Sequence, residues 1–286
     1  MKEDNEMTLV QSERNLVSVI VPTRDSSRTI ATCLESLGRQ RDVEIDIVIV
    51  DQESNDGTSM IAHDYGATVV NVKRTATYAP PSRSRNVGFS KSRGNYVLHI
   101  DSDMELSSPD LLSSCVSACR SAHAVIIPEI DVGIGFWAEC KSMERQCHLG
   151  KTLLESPRFF RRETFQALSG YDSSITSGED WELTDRLLQR GAIIARIPLR
   201  IKHHLGSLSM RAQLMKKFSY GKTMLPYAER RNSQMSRRFG SYVGAYARNV
   251  KNLRFYIYPV LLMRSIESIG LVAGITLSKT TGEPRP

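Results

Sequence analysis

Two β-branched runs constrain the fold more than anything else in this chain: Leu16-Val17-Ser18-Val19-Ile20-Val21 and Ile45-Asp46-Ile47-Val48-Ile49-Val50. Near-continuous apolar runs of this length read as strands buried on both faces, the kind found in parallel sheets covered by helices. Pro22 closes the first run. Ile30, Cys33, Leu34 and Leu37 then recur at helical spacing, with Ser26 or Ser27 available as a cap. The second run ends at Asp51 and enters the turn-rich Glu53-Ser54-Asn55-Asp56-Gly57. A short helix from Thr58 to Tyr65 stops at Gly66, and Ala67 to Val72 reads as a third strand. This alternation predicts a parallel sheet with right-handed crossovers.

Further along, Thr75 to Pro81 reads as a loop, Ser84 to Lys91 as a helix and Tyr96 to Ile100 as a fourth strand. Ser107 or Ser108, Pro109 and Asp110 make a helix start, with proline in the first turn and an acid near the positive end of the dipole. Ala124–Pro128, Ser156–Phe160 and Ile193–Ile197 read as strands, and Arg200–His204 as a short extended piece. Trp137 to Leu149 and Gly178 to Arg190 read as helices. Beyond Gly206 the chain changes character, with Arg and Lys crowded among Met, Leu, Phe and Tyr. The expected organisation is a loose arm over 1–15, an α/β domain over 16–206 and a helical, basic and apolar region over 207–286.

The chain has 286 residues, of which 41% are hydrophobic and 24% charged, so a folded core is expected and disorder is not. The net charge of +7 suits an anionic partner such as a nucleotide, a phosphate-bearing lipid or nucleic acid, and charge alone does not choose among them. Five cysteines are an odd count in a long chain, which argues against a disulfide framework and for a reducing, cytoplasmic setting. No run of about 18 uncharged apolar residues occurs, so no spanning helix is expected.

The chemistry gathers at strand ends. Tyr96-Val97-Leu98-His99-Ile100 delivers Asp101 and Asp103 where the crevice of an open α/β sheet lies. Two carboxylates there suit a divalent cation held against a phosphate; a loop-capping acidic pair is the plainer alternative. Asp51 can accept from a base N–H or simply form an Asx turn. Arg85 stands at a helix start, where its planar fork suits phosphate, whereas Arg83 reads as solvated. Gly178-Glu179-Asp180 places two acids at a helix N-terminus, which suits a general base or an ordinary acidic cap. His203-His204 offers a third metal ligand, and neighbouring strand residues face opposite ways, so at most one points inward.

Taken in order, these pieces resemble the inverting family-2 glycosyltransferases of the GT-A fold. The matching segments are Ser18-Val19-Ile20-Val21-Pro22-Thr23, Cys33-Leu34-Glu35-Ser36-Leu37, Ile49-Val50-Asp51-Gln52-Glu53-Ser54-Asn55-Asp56-Gly57-Thr58, Arg85-Asn86-Val87-Gly88, Gly94 through Asp103, and Gly178-Glu179-Asp180. The resemblance implies a Rossmann-like, mostly parallel sheet flanked by helices, and transfer of a hexose from a nucleotide-sugar donor. Pro22, Thr23, Asp51 and Arg85 would hold the nucleotide, with Asp101 and Ser102 also in the donor site. Asp103, and Asp101 directly or through ribose or water, would engage Mg2+ or Mn2+, with His203 or His204 completing the metal site. Asp180 would be the general base, with Glu179 assisting or binding acceptor. UDP is the preferred carrier and GDP the second. Arg24-Asp25 and Gln52 depart from the family pattern, which puts base and sugar selectivity in doubt.

In the C-terminal region, Met210, Leu214, Met215 and Phe218 recur at helical spacing, as do Tyr256, Val260, Met263 and Glu267. Such helices can lie at a bilayer surface among anionic headgroups, pack on the catalytic domain or form a homo-oligomer contact. The resemblance favours the membrane, at its cytoplasmic face, and a polyprenyl-linked or other glycan acceptor; no nucleic-acid partner is expected. The rival functions are a metal-dependent nucleotidyltransferase, which would usually show a glycine-rich phosphate loop where Pro22-Thr23-Arg24-Asp25 stands, and a non-enzymatic basic binding protein.

Overall fold

The structure, a computed structural model, describes residues 15–73, 81–175, 177–230, 232–253 and 255–281. Of the arm expected over 1–15 all but the last residue, and of the loop expected over Thr75 to Pro81 all but Pro81, lie outside the described residues. The chain opens with β1 (Leu16–Thr23), α1 (Ile30–Gly38), β2 (Glu44–Asp51), α2 (Thr58–Asp64) and β3 (Thr68–Asn71). Next come α3 (Pro81–Lys91), β4 (Tyr96–His99), β5 (Met104–Leu106), α4 (Leu111–Ala118), β6 (Ala124–Ile126) and β7 (Glu129–Ile134). They are followed by α5 (Phe136–His148), β8 (Phe159–Arg161), α6 (Arg162–Ala167), α7 (Glu179–Gln189), β9 (Ile194–Arg196) and β10 (Ile201–Ser207). Three long helices end the chain: α8 (Met210–Arg230), α9 (Asn232–Leu253) and α10 (Ile257–Thr281). The chain folds as two compact units, the first made of Met1–Pro128, Pro157–Tyr171 and Arg186–His203, the second of Glu129–Ser156, Asp172–Asp185 and His204–Pro286.

The first unit is built on a seven-stranded sheet in the order β3-β2-β1-β4-β8-β6-β9. β1 pairs in parallel with β2 and with β4, while β8 runs antiparallel to both β4 and β6. Strand order therefore reverses at β1, which puts the crevice at the carboxyl ends of β1 and β4. The first apolar run does not stop at Pro22; β1 continues to Thr23. The reason is local. Ile20 turns its carbonyl toward β4, where it accepts from the Ile100 N–H at 3.2 Å. Pro22, two residues on, faces the same way but beyond the last β4 pair, Ile20↔His99, so its missing N–H breaks no ladder bond. The expected helical stripe of Ile30, Cys33, Leu34 and Leu37 is buried under the sheet in a core with Val19, Val21, Leu98 and Ile100. On α3, a Cβ at Gly88 would come within 3.0 Å of a Val50 methyl and closer still to Ile20, so only glycine lets this helix lie so near β1 and β2. β5 pairs antiparallel with the start of β10, with His203 opposite Met104.

In the second unit, α5, α9 and α10 share a core of Cys140, Cys147, Leu253 and Val260. α8 and α10 approach closely through glycine: a Cβ at Gly270 would stand 2.5 Å from the Leu214 carbonyl oxygen, and one at Gly274 would overlap that of Phe218. Of the placements open to the second stripe, its Val260, Met263 and Glu267 take packing within the protein, all three being buried. The expectation that nothing is apolar enough to span also gives way. Ile257–Ser278 is one helix stretch of 22 residues, long and apolar enough by length and composition to cross a membrane. Its two interrupting charges are neutralised within the unit. Glu267 meets Lys141 at 3.3 Å and Arg264 at 2.6 Å, and Arg264 also pairs with Glu144. All five cysteines are free, buried thiols, and burial, followed by the charges of Asp103 and Asp101, pushes Cys33 up to about 12.

Candidate active site

The carboxyl ends of β1 and β2 are tied together by side chains. Thr23, 2% exposed, donates its hydroxyl to Asp51 Oδ1 at 2.8 Å. Asp51 also accepts from the Ser54 hydroxyl at 2.6 Å and the Ser54 N–H at 3.0 Å. The carboxylate therefore braces the turn that follows β2 through Ser54, three residues on, rather than through an Asx turn. Gln52, where the family often carries an acid, donates to Ser84 Oγ at 2.9 Å and fastens the end of β2 to the start of α3. The loops after β1 and β2 are cross-stitched. The Asp25 N–H donates to Ser54 Oγ at 2.8 Å, the Asn55 N–H to Asp25 Oδ1 at 3.1 Å and the Ser27 N–H to Asp56 Oδ2 at 2.9 Å. Asp25 and Glu53 take left-handed backbone, φ 47° and 55°, which an L residue adopts when surrounding bonds impose it.

At the end of β4 the two aspartates diverge. Asp101 turns both oxygens to guanidinium groups: Arg85 Nη2 donates to Oδ1 at 2.8 Å, and Arg158 Nη1 stands 3.6 Å from Oδ2. Desolvation pushes the Asp101 carboxyl up, but Arg85 and Arg158 together pull harder, and it lies well below the usual carboxylate range. Arg85 is itself 3% exposed and stacks over Tyr171 at 5.4 Å. Ser102 donates to Ser26 Oγ at 2.9 Å, joining this loop to the one after β1. Asp103 Oδ2 lies 3.5 Å from His203 Nε2, brought there by the β5–β10 pairing, while Asp103 Oδ1 is buried with no partner among the described residues. An orphaned carboxylate oxygen beside an imidazole nitrogen is a hard, mixed O/N donor set that fits Mg2+ or Mn2+.

In the first unit Pro22, Thr23 and Asp51 stand at the carboxyl ends of β1 and β2, Asp101, Ser102 and Asp103 follow β4, Arg85 reaches Asp101 from α3, and His203, near the start of β10, meets Asp103. Glu179, Asp180 and His204 belong to the second unit. Gly178 takes φ 86°, as expected of an unusual turn, and passes the chain into α7, whose first turn carries Glu179, buried, and Asp180, half-buried. His204 follows His203 in β10 and is half-buried.

Two residues escape the sequence reading. Arg158 precedes β8, and because β8 runs antiparallel to β4 its amino end reaches the crevice. The His99 N–H accordingly donates to the Arg158 carbonyl at 2.9 Å. The only sequence signal was a basic residue ahead of Phe159-Phe160, and a wholly parallel sheet would have put it at the far edge. His99 is the second. It is fully buried among Phe160, Phe165 and Tyr171, and neither ring nitrogen has a partner among the described residues. Burial, reinforced by Arg85 and Arg158, holds it well below the ordinary histidine range.

Residues 18–176 match the family model described as Glycosyl transferase family 2. Among curated proteins the chain is 29% identical over 105 residues to the 4,4'-diaponeurosporenoate glycosyltransferase of Staphylococcus haemolyticus, a match covering 36% of this chain and 28% of that protein. The chain thus spans less than a third of that relative's length. Among solved structures it resembles the mannosyltransferase PcManGT from Pyrobaculum calidifontis in complex with GDP-Man and Mn2+, at TM-score 0.64 and 15% identity over 93% of this chain and 88% of that one. It also resembles S. aureus TarS 1-349 in complex with UDP-GlcNAc, at TM-score 0.54 and 16% identity over 94% and 92%. These likenesses show the GT-A fold expected from the sequence.

Proposed function

Because the chain belongs to glycosyl transferase family 2, we propose that it transfers a hexose, with inversion, from a nucleoside-diphosphate sugar to an acceptor hydroxyl. The observation that carries this reading is the end of β4, where Asp103 offers a buried oxygen, without a partner among the described residues, beside His203 while Arg85 and Arg158 converge on Asp101. Cation ligands and guanidinium forks side by side suit a diphosphate. In this reading Asp103 and His203 hold Mg2+ or Mn2+, which when bound would offset the charge developing on the departing diphosphate. Asp101 holds the two arginines ready for phosphate oxygens. Pro22, Thr23 and Asp51 line the nucleoside, and Ser102 fixes the loop beside it. Asp180 accepts the proton of the acceptor hydroxyl as its oxygen bonds to the anomeric carbon and the bond to the diphosphate breaks. Glu179 assists or orients the acceptor.

UDP is the preferred carrier, as in the TarS complex, with GDP, carried by the PcManGT ligand, the alternative. A lipid-linked or other glycan acceptor is supported by the outward face of α10, where Leu261, Leu262, Ile269 and Val272 are exposed, and by the exposed Arg237, Arg248 and Lys251 on α9. Five unpaired thiols suit the reducing, cytoplasmic side of a membrane.

The test is transfer from labelled donors with release of nucleoside diphosphate. Asp103→Ala and Asp180→Asn should each lower turnover by about 10²-fold or more. Wild-type turnover in either variant, or release of inorganic diphosphate in place of nucleoside diphosphate, would overturn the assignment.

A further inference from the structure

Arg238 lies in α9, outside the family-matched residues, and at 2% exposed it is among the largest fully buried side chains in the protein. Its guanidinium donates to Asp185 Oδ1 at 2.7 Å, to the Trp181 carbonyl at 3.1 Å and to the Leu153 carbonyl. It also stacks over the Trp181 ring at 5.0 Å. Trp181 and Asp185 stand one helical turn apart on α7, and Asp185 is only 4% exposed. One buried cation thus holds α7 at two points and anchors it to the segment that follows α5.

Burying an ion pair costs several kcal/mol per charge unless its hydrogen bonds are satisfied, and hydrophobic residues of similar volume often serve stability as well or better. A buried arginine here is therefore better explained by what it orients than by what it stabilises. Trp181 directly follows Asp180. A side-chain tip on a helix lies roughly 6 Å from the axis, so turning α7 by about 20° would sweep a carboxylate about 2 Å. General-base transfer needs hydrogen-bond reach, and misplacement by about 1 Å can cost about 10²-fold in rate.

We infer that Arg238 is a positioning residue that fixes the rotation of α7 and so aims the Glu179–Asp180 step. The C-terminal helices thereby become part of the catalytic apparatus. The inference rests on the reading of Asp180 as general base.

The test is a double-mutant cycle on the full chain. Arg238→Lys keeps the charge and loses the fork, and Asp185→Ala removes the carboxylate that the fork grips. Each should lower kcat about 10- to 100-fold while the affinity for UDP with Mn2+, read by calorimetry, stays within about twofold. In an Asp180→Asn background the same substitutions should cost no more than about twofold, because a positioning residue has nothing left to position. A full additional loss in that background, an unchanged kcat in a folded single variant, or unfolding of both single variants would overturn the inference. Asp180→Asn with wild-type kcat would instead sink the underlying assignment of the base, whatever the Arg238 variants do.

Discussion

At the scale of single residues, buried polar groups without partners mark where this protein is exposed to acid. His148, at the end of α5, is 9% exposed, sits edge-on to Tyr242 and Tyr246, and leaves its Nε2 without a partner among the described residues. Burial drives its imidazole down from 6.5 to about 4; Glu144 opposes the shift, while Arg264, Arg145 and Lys141 add to it. The folded pKa lies below the unfolded one, so between these values the unfolded chain binds the extra proton. Stability is complete above 6.5 and falls as pH drops toward 4, by roughly 3 kcal/mol in all. His148→Phe keeps the ring and removes the titration. Its melting temperature should gain on wild type between pH 7.5 and 4.5, and parallel curves across that range would refute the cause. The residue scale is also where sequence reading stopped short. The positions of Thr23, Asp51 and Asp103 were legible because they sit at or just past strand ends whose direction follows from the alternation, and that of Arg85 because it lies on the helix that precedes β4. Arg158 was not, because its place depends on β8 running against its neighbours, and nothing within Phe159-Phe160-Arg161 encodes direction.

At the scale of elements, α8 and α10 are held at a distance set by glycine. Gly270 and Gly274 are four residues apart on the face of α10 that meets α8, and a Cβ at either would strike backbone, the Leu214 or Phe218 carbonyl. Backbone cannot swing aside as a side chain can, so the helices would have to separate. Gly274→Val should cost about 2–3 kcal/mol in chemical denaturation. Gly240 on α9 is the control. A Cβ there meets nothing within 4 Å and its backbone is ordinary helix, so Gly240→Ala should be neutral or stabilise by up to about 1 kcal/mol. A loss of similar size in Gly240→Ala would show that the close approach does not single out Gly274. Long periodic elements were legible in the sequence to within a few residues, as α1, α5 and α7 show. β5 and β7 and the six-residue α6 were not, since three to six residues carry too little periodicity to stand out from loops. The stripe on α10 was legible as a helix face but not which way it turns; Val260, Met263 and Glu267 look inward, where Lys141 receives the acid.

At the scale of the whole molecule, charge and apolarity make one further demand. The chain carries +7 overall, and the exposed residues of α10 whose side chains are described are all uncharged, led by Tyr258, Leu261, Leu262, Ile269 and Val272. Water is a poor environment for such a row, and inward pairing of Arg264 and Glu267 leaves only the hydroxyls of Ser265, Ser268 and Thr276, and no described charge, to interrupt it. An apolar helix face with basic residues beside it suits an anionic bilayer surface, where each lysine or arginine near the headgroups contributes about 1 kcal/mol. The protein should therefore sediment with vesicles containing phosphatidylglycerol and much less with neutral phosphatidylcholine, and salt should weaken but not abolish binding, because the apolar contact is not screened. Leu262→Glu with Ile269→Glu should release it while leaving the donor affinity of the first unit intact. Should the face serve a second copy of the chain instead, the same double variant would dissociate a dimer seen by light scattering without lipid, and vesicles would never have carried the wild type down.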